Sequence, residues 1–212
     1  MTDQISISEG KTRRQQVWKN TEYTWAGLAK RLSITHRTAE TLAEYMAAKK
    51  NRQDEIKDVG GFVGGTLVQG RRGQGKVLSR SLVTLDIDFG QQGIWEDFIM
   101  EFDCAALVYS THKHTSERPR LRLVIPLARE VFSAEYEPIA RKIAEKIGIE
   151  LFDPTTYQDY RLMYWPSTSK DGEFYFQTQE GPWLDPDAVL AEYKDWKDTS
   201  HWPTSSKEDT II

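Results

Sequence analysis

The segment Leu82 to Phe89, LVTLDIDF, leaves the chain few options. Apolar Val83, Leu85, Ile87 and Phe89 alternate with Thr84, Asp86 and Asp88. A period of two over this length is a β-strand with one face in a core. Asp86 and Asp88 then share the other face, with Cα atoms roughly 6.5–7 Å apart. Neighbouring carboxylates repel, and each prefers to stay hydrated. That face is therefore either solvated, with both acids as surface charges, or it meets a cation. Hard ions such as Mg²⁺ or Mn²⁺ take carboxylate oxygens and leave positions for a phosphate. The pair alone does not choose between these readings.

The composition narrows the setting. No apolar run approaches the roughly 18 residues of a membrane span, and the opening MTDQISISEGKTRR has no signal-peptide core. The sequence reads as a soluble cytoplasmic protein with no membrane partner. A single cysteine, Cys104, excludes an internal disulfide and a Cys-rich zinc site. The formal charge of −4 does not advertise nucleic-acid binding. Basic clusters stand out against it: Lys11, Arg13, Arg14 and Lys19; Arg71, Arg72, Lys76 and Arg80; Arg118, Arg120 and Arg122. Such clusters are either solvated faces or phosphate-binding patches.

Periodicity and turn chemistry lay out the rest. Strands are expected at Gln4–Ser8, from about Phe62 to Val68, Leu78–Phe89, Cys104–Thr111, Arg120–Pro126, Arg161–Trp165 and Glu173–Gln177. Helices are expected at Trp25–Leu32, Arg37–Lys49, Gly93–Phe102, Ser133–Ile147 with Ser133 as cap, and from Asp185–Pro186 to about Tyr193. Asn51–Asp58 is charged and turn-like. The glycines of GGFVGG lack the phosphate-loop pattern and suit tight turns or close backbone approach. Strict βα alternation is missing, so the fold class is α+β. Residues 1–195 are expected to be the folded domain, and 196–212 a linker or tail.

The strand at Cys104–Thr111 runs into STHKH. If it continues, Ser110, His112 and His114 share a face. The turn TSERP then returns the chain antiparallel, bringing Arg120 and Arg122 beside the histidines. Asp86, Asp88, His112, His114 and Arg122 could so converge on one sheet face. Carboxylates for metal beside His and Arg for phosphate is the wiring of nucleotidyl transfer. FDPTTYQDYRLMYWPS offers a third acid at Asp153, which also reads as a plain Asp-Pro turn, with Asp159 ranked below it and Arg161 following.

TLDIDF, YSTHKHTSERPRLRLVIPL and LFDPTTYQDYRLMYWPS together resemble the three motifs of archaeo-eukaryotic primases. The similarity is strongest to the primase-polymerase domain of phage and mobile-element replication proteins, the group linked to virulence-associated E helicases, and KDVGGFVGG fits the same group. It covers about Trp25 to Tyr193. The resemblance implies a bacterial or phage-encoded enzyme with an RRM-like catalytic sheet and an additional N-terminal α/β subdomain. It implies Asp86, Asp88 and Asp153 as ligands of Mg²⁺ or Mn²⁺. Ser110, His112, His114, Arg120, Arg122 and Arg161 would face the nucleotide, with a slight preference for His114 as the phosphate-binding histidine. Arg71, Arg72, Lys76 and Arg80 would contact DNA. The expected partners are a single-stranded template, a primer, (d)NTPs and a helicase in cis or in trans, since members of that group often continue into a helicase. Two other readings compete. A His-hydrophobic-His replication-initiator nuclease would use the HxH, but Lys113 spoils its middle position and the DxD strand stays unexplained. A non-catalytic single-strand binding module would stack bases on the sheet, but outward acids repel phosphate unless metals intervene.

Overall fold

Ile5 and Ile7 alternate with Ser6 and Ser8, and the chain opens as a strand. The computed structural model describes residues 3–208. Its elements begin with β1 (Gln4–Gly10), β2 (Lys19–Thr24), α1 (Trp25–Leu32), β3 (His36–Arg37), α2 (Leu42–Ala47) and α3 (Lys50–Ile56). Next come β4 (Gly61–Val63), β5 (Gly65–Leu67), β6 (Val77–Ile87), α4 (Ile94–Glu101), β7 (Ala106–Ser110) and β8 (Leu121–Val131). The chain closes with α5 (Ser133–Ile147), β9 (Met163–Tyr164), β10 (Ser167–Thr168), β11 (Phe176–Gln179) and α6 (Pro186–Ala191). The fold is mixed α+β. Among the described residues no helix is long and apolar enough to cross a membrane.

Five antiparallel strands in the order β11-β7-β8-β6-β5 form the central sheet. Its alternation sorts two cores. Val83, Leu85 and Ile87 pack with Leu121, Leu123 and Ile125 against Ile94 and Phe98 of α4, Ile139 and Ile143 of α5, and Val189 and Leu190 of α6. On the other face, Leu82, Leu107, Tyr109 and Val124 meet Ile5 and Ile7 of β1, Leu28 and Leu32 of α1, and Phe62, Met163 and Trp165. A second sheet, β2-β1-β4-β9, belongs to this cover. The face carrying the acids is therefore roofed over Leu82 and Thr84, both fully enclosed.

The glycine run joins the two sheets. β4 pairs with β1 and β9, β5 pairs with β6, and Gly64 alone separates them. A Cβ at Gly61 would lie 2.3 Å from the Met163 carbonyl oxygen, and one at Gly65 would lie 2.0 Å from that of Ser79. Glycine is required there by close backbone approach.

Three local expectations change. The helix expected over Arg37–Lys49 starts only at Leu42, because Thr41 and Glu44 form a capping box and Arg37 joins β3. The charged stretch after Lys49 is the helix α3, with Asp54 bridging Lys50 at 3.1 Å and Lys57 at 3.0 Å on one face. Ser133 is the first helical residue rather than the cap, and its hydroxyl donates to Asp159.

The expected tail is not free over its described part. The Glu150 carboxylate accepts from the Ser205 hydroxyl at 2.9 Å and from the Ser206 backbone N–H at 2.7 Å. Arg141 donates to both oxygens of Glu208, at 2.8 and 2.9 Å. Residues 209–212 of that expected tail lie outside the described residues.

Candidate active site

Antiparallel register sets Asp86 of β6 opposite Arg122 of β8, and Tyr109 of β7 opposite Arg122 on its other side. Arg122 Nε donates to Asp86 Oδ1 at 2.7 Å, with both side chains nearly buried. One residue past the end of β6, Asp88 receives Arg120 Nη2 at 3.1 Å. Asp153 caps the 3₁₀ turn Pro154–Tyr157, its Oδ1 accepting the Thr155 N–H at 2.9 Å, while its Oδ2 accepts Arg161 Nη2 at 2.8 Å. This turn is bolted to β6: Asp153 N–H donates to the Asp86 carbonyl at 3.0 Å, and Asp86 N–H donates to Thr156 Oγ1 at 2.7 Å. Asp153 is thus a turn cap and a neighbour of the DxD pair at once.

All three acids line one cleft of about 560 Å³, together with nine lysines and arginines. Burial pushes the Asp88 carboxyl above its ordinary value; Arg120 opposes this, and the charges of Asp86 and Asp153 add to it. Three carboxylates lining one cleft form an all-oxygen set suited to a hard divalent ion. Each is held by an arginine, and among the described residues no three acid, His or Cys side chains form a ready-made ion cage. The donor chemistry fits Mg²⁺ or Mn²⁺.

Residues 1–205 match the VapE N-terminal domain family. The chain belongs to that family. The match bears out the resemblance read from the three motifs. Two solved structures are similar to this chain at low identity. One is the AEP domain of the cyanophage S-2L primase-polymerase (PrimPol), 13% identical with a TM-score of 0.49, over 89% of this chain and 88% of that one. The other is the primase RepB′, 12% identical with a TM-score of 0.42, over 90% of this chain and 56% of that one. No curated protein matches the sequence.

Within the VapE domain the two histidines part company. β7 ends at Ser110, and the His114 N–H returns to the Thr111 carbonyl at 3.1 Å, so Thr111–His114 is a turn and not more strand. His112 lines the acid-bearing cleft. Its ring packs on Tyr45 with centroids 4.2 Å apart, and its nitrogens meet Ser167 Oγ at 2.9 Å and Glu40 Oε1 at 3.0 Å. His114 lines a separate cleft of about 310 Å³ with Trp95 and Tyr175, and its Nδ1 accepts the Arg120 N–H at 3.2 Å. The expected shared face is corrected: the two rings lie in different clefts, His112 beside the acids, so the HxH pair does not form the joint metal site that a nuclease would use. Ser110 is also corrected: it is fully buried, and its hydroxyl accepts the Tyr175 N–H at 3.0 Å.

Of the four expected DNA contacts, Arg72 lines the main cleft, while Arg71 and Lys76 are exposed outside its lining. Arg80 cannot reach a ligand. Its fully buried guanidinium donates to the Leu82 carbonyl, Thr84 Oγ1, the Tyr136 hydroxyl and the Asp159 carbonyl. Asp159, the lower-ranked third acid, serves Ser133 and Arg80 instead of the cleft. Sequence reasoning missed Lys50, Asp54 and Lys57, which reach the cleft from α3, and Lys113. The i,i+4 Lys50–Asp54 and i,i+3 Asp54–Lys57 spacing was the available signal for the first three.

Proposed function

We propose that this domain is a DNA primase-polymerase that performs template-directed nucleotidyl transfer from (d)NTPs. The carrying observation is one cleft that brings Asp86, Asp88 and Asp153 together with nine lysines and arginines. The reaction forms a bond from a 3′-hydroxyl oxygen to the α-phosphate, breaks the α–β bridging bond, and releases pyrophosphate and the hydroxyl proton. Bound at the three acids, a pair of Mg²⁺ or Mn²⁺ ions would activate that hydroxyl and neutralise charge on the leaving group. The chain's own residues prepare the site. Arg122, Arg120 and Arg161 hold each carboxylate in a set rotamer, and Thr156 and the Asp153 N–H tie the third acid to the strand bearing the other two. His112, anchored between Glu40 and Ser167, takes the nucleotide-side role earlier given to His114.

The connectivity β6-α4-β7-β8-α5, with β8 lying between β6 and β7 and helices on one face, supports the RRM-like reading of the catalytic sheet. β1, β2 and α1–α3 supply the additional N-terminal α/β subdomain. We place the catalytic unit through residue 208, since residues 205–208 are bonded to Glu150 and Arg141. Template, primer and a helicase in cis or in trans are the partners this reading requires.

The test is extension of a labelled primer on a single-stranded template with dNTPs or NTPs, with Mg²⁺, Mn²⁺ or chelator. Metal-dependent extension that disappears in Asp88→Asn is expected. No extension with either metal and either nucleotide set refutes the reading.

A further inference from the structure

We propose that a second cluster of cations in the cleft that holds the acids, made by Arg13, Lys50, Lys57 and Arg72, is the cradle for the nucleotide's triphosphate tail. This deepens the primase-polymerase reading and rests on it. The role is taken from Arg120, Arg122 and Arg161, and the reason is charge. Each of those three is matched by a carboxylate at 2.7–3.1 Å, so that side of the cleft is close to neutral. The surplus positive charge lies elsewhere. Arg13, Arg14, Lys50, Lys57, Arg72 and Lys113 line the same cleft, and Asp54 is the one further carboxylate in its lining.

The cations of this cluster converge. Lys57 Nζ lies 3.0 Å, Lys50 Nζ 3.1 Å and Arg13 Nη1 3.4 Å from Asp54. Three cations on one carboxylate leave an excess that a compact, multiply charged anion would neutralise. The cluster is also held rigid. Both oxygens of Asp58 accept the Arg13 backbone N–H, at 2.9 and 3.1 Å, and Lys57 lies over the Tyr164 ring at 5.2 Å. Arg72 stands over Trp18 at 5.4 Å, and its buried Nε, like that of Arg161, has no hydrogen-bond partner among the described residues. A buried guanidinium nitrogen without an acceptor is costly unless a ligand oxygen arrives.

The geometry favours a triphosphate over a template backbone. A nucleic-acid strand spreads one charge per nucleotide along its length and suits cations strung out in a line. A triphosphate packs several charges onto three linked phosphorus atoms and suits cations gathered around a point. It must also extend from the acids, where its α-phosphate reacts, along the same cleft that these cations line.

The experiment titrates the protein, with Mg²⁺, against a non-hydrolysable deoxynucleoside triphosphate, the matching monophosphate and a single-stranded oligonucleotide. The variants are Lys50→Ala and Lys57→Gln, each checked by thermal melting. The Lys50 side chain is 68% exposed, so its truncation carries little folding burden. Each variant should weaken triphosphate binding about tenfold, the worth of one hydrogen bond to a charged group. Monophosphate and oligonucleotide affinities should change less than about twofold on the same scale. Unchanged triphosphate affinity in both variants, with normal binding by the parent, overturns the cradle alone. Equal loss for triphosphate and oligonucleotide also overturns it, and assigns the cluster to the template. No triphosphate binding by the parent protein refutes the polymerase reading and the cradle with it.

Discussion

Replacing either acid of the DxD pair by asparagine should abolish primer extension, yet the two variants should differ in stability. The Asp86 and Arg122 side chains are 8% and 11% exposed, and Arg122 lies between Tyr109 and Tyr164. Removing one partner of a buried ion pair costs about 3–5 kcal/mol, because the other charge is left uncompensated. The Asp86→Asn variant would keep an amide oxygen for Arg122 Nε, and Arg122 also donates to the Tyr164 carbonyl at 3.3 Å. These retained contacts lower the expected cost to about 2–3 kcal/mol. The Asp88–Arg120 pair is 32% and 27% exposed, and Arg120 keeps its bond to the Asp88 carbonyl oxygen, so Asp88→Asn should cost only about 0–1 kcal/mol. Urea unfolding at pH 7.5, in chelator and extrapolated linearly, measures both. Asp86→Asn should fall below Asp88→Asn by about 2 kcal/mol with an unchanged m-value. Stabilities within about 0.5 kcal/mol of each other would refute the reasoning, since surface substitutions already scatter that much.

Three further outcomes are expected. Burial pushes the His112 and His114 pKa values down, with Glu40 and Glu173 respectively opposing it, so the unfolded chain takes up these protons first. Stability should be full above about pH 6.5 and fall as pH drops below it, and His114→Phe should flatten that fall in urea midpoints taken at several pH values. A flat profile in the parent protein would contradict it. Ending the chain at residue 202 removes Glu208 from the nearly buried Arg141 and three residues from Glu150; it should lower Tm by about 5–10 °C, and an unchanged Tm would show residues 203–208 to be a tether after all. Arg80→Leu should destabilise by about 3 kcal/mol or more while leaving the salt dependence of single-strand binding unchanged, and a shallower salt slope would return Arg80 to the DNA contacts.

What was legible followed from short-range periodicity. Leu82–Phe89 and Leu121–Ile125 announced their inward faces, and Asp86 met Arg122 across the register those faces impose. The same rule misled where a strand stopped: His112 and His114 share a phase only if β7 continues, and it ends at Ser110. Arg80 looked like part of a basic surface, but the register shifts between Arg80 and Leu82, and the side chain folds inward under Tyr136. Ionic fastening carries no hydropathy signal, so the docking of residues 205–208 was invisible. The cation cluster of the cleft depends on residues 13, 50, 57 and 72 sharing one cavity with positions 86 and 153, a long-range convergence that spacing does not encode.

Gly64 has a mechanical meaning. It is the whole connection between a strand of one sheet and a strand of the other, and its neighbours Gly61 and Gly65 press backbone against backbone. The spacing of the two layers at this point is therefore a backbone-to-backbone distance, and any side chain placed at Gly61 or Gly65 would have to wedge the strands apart.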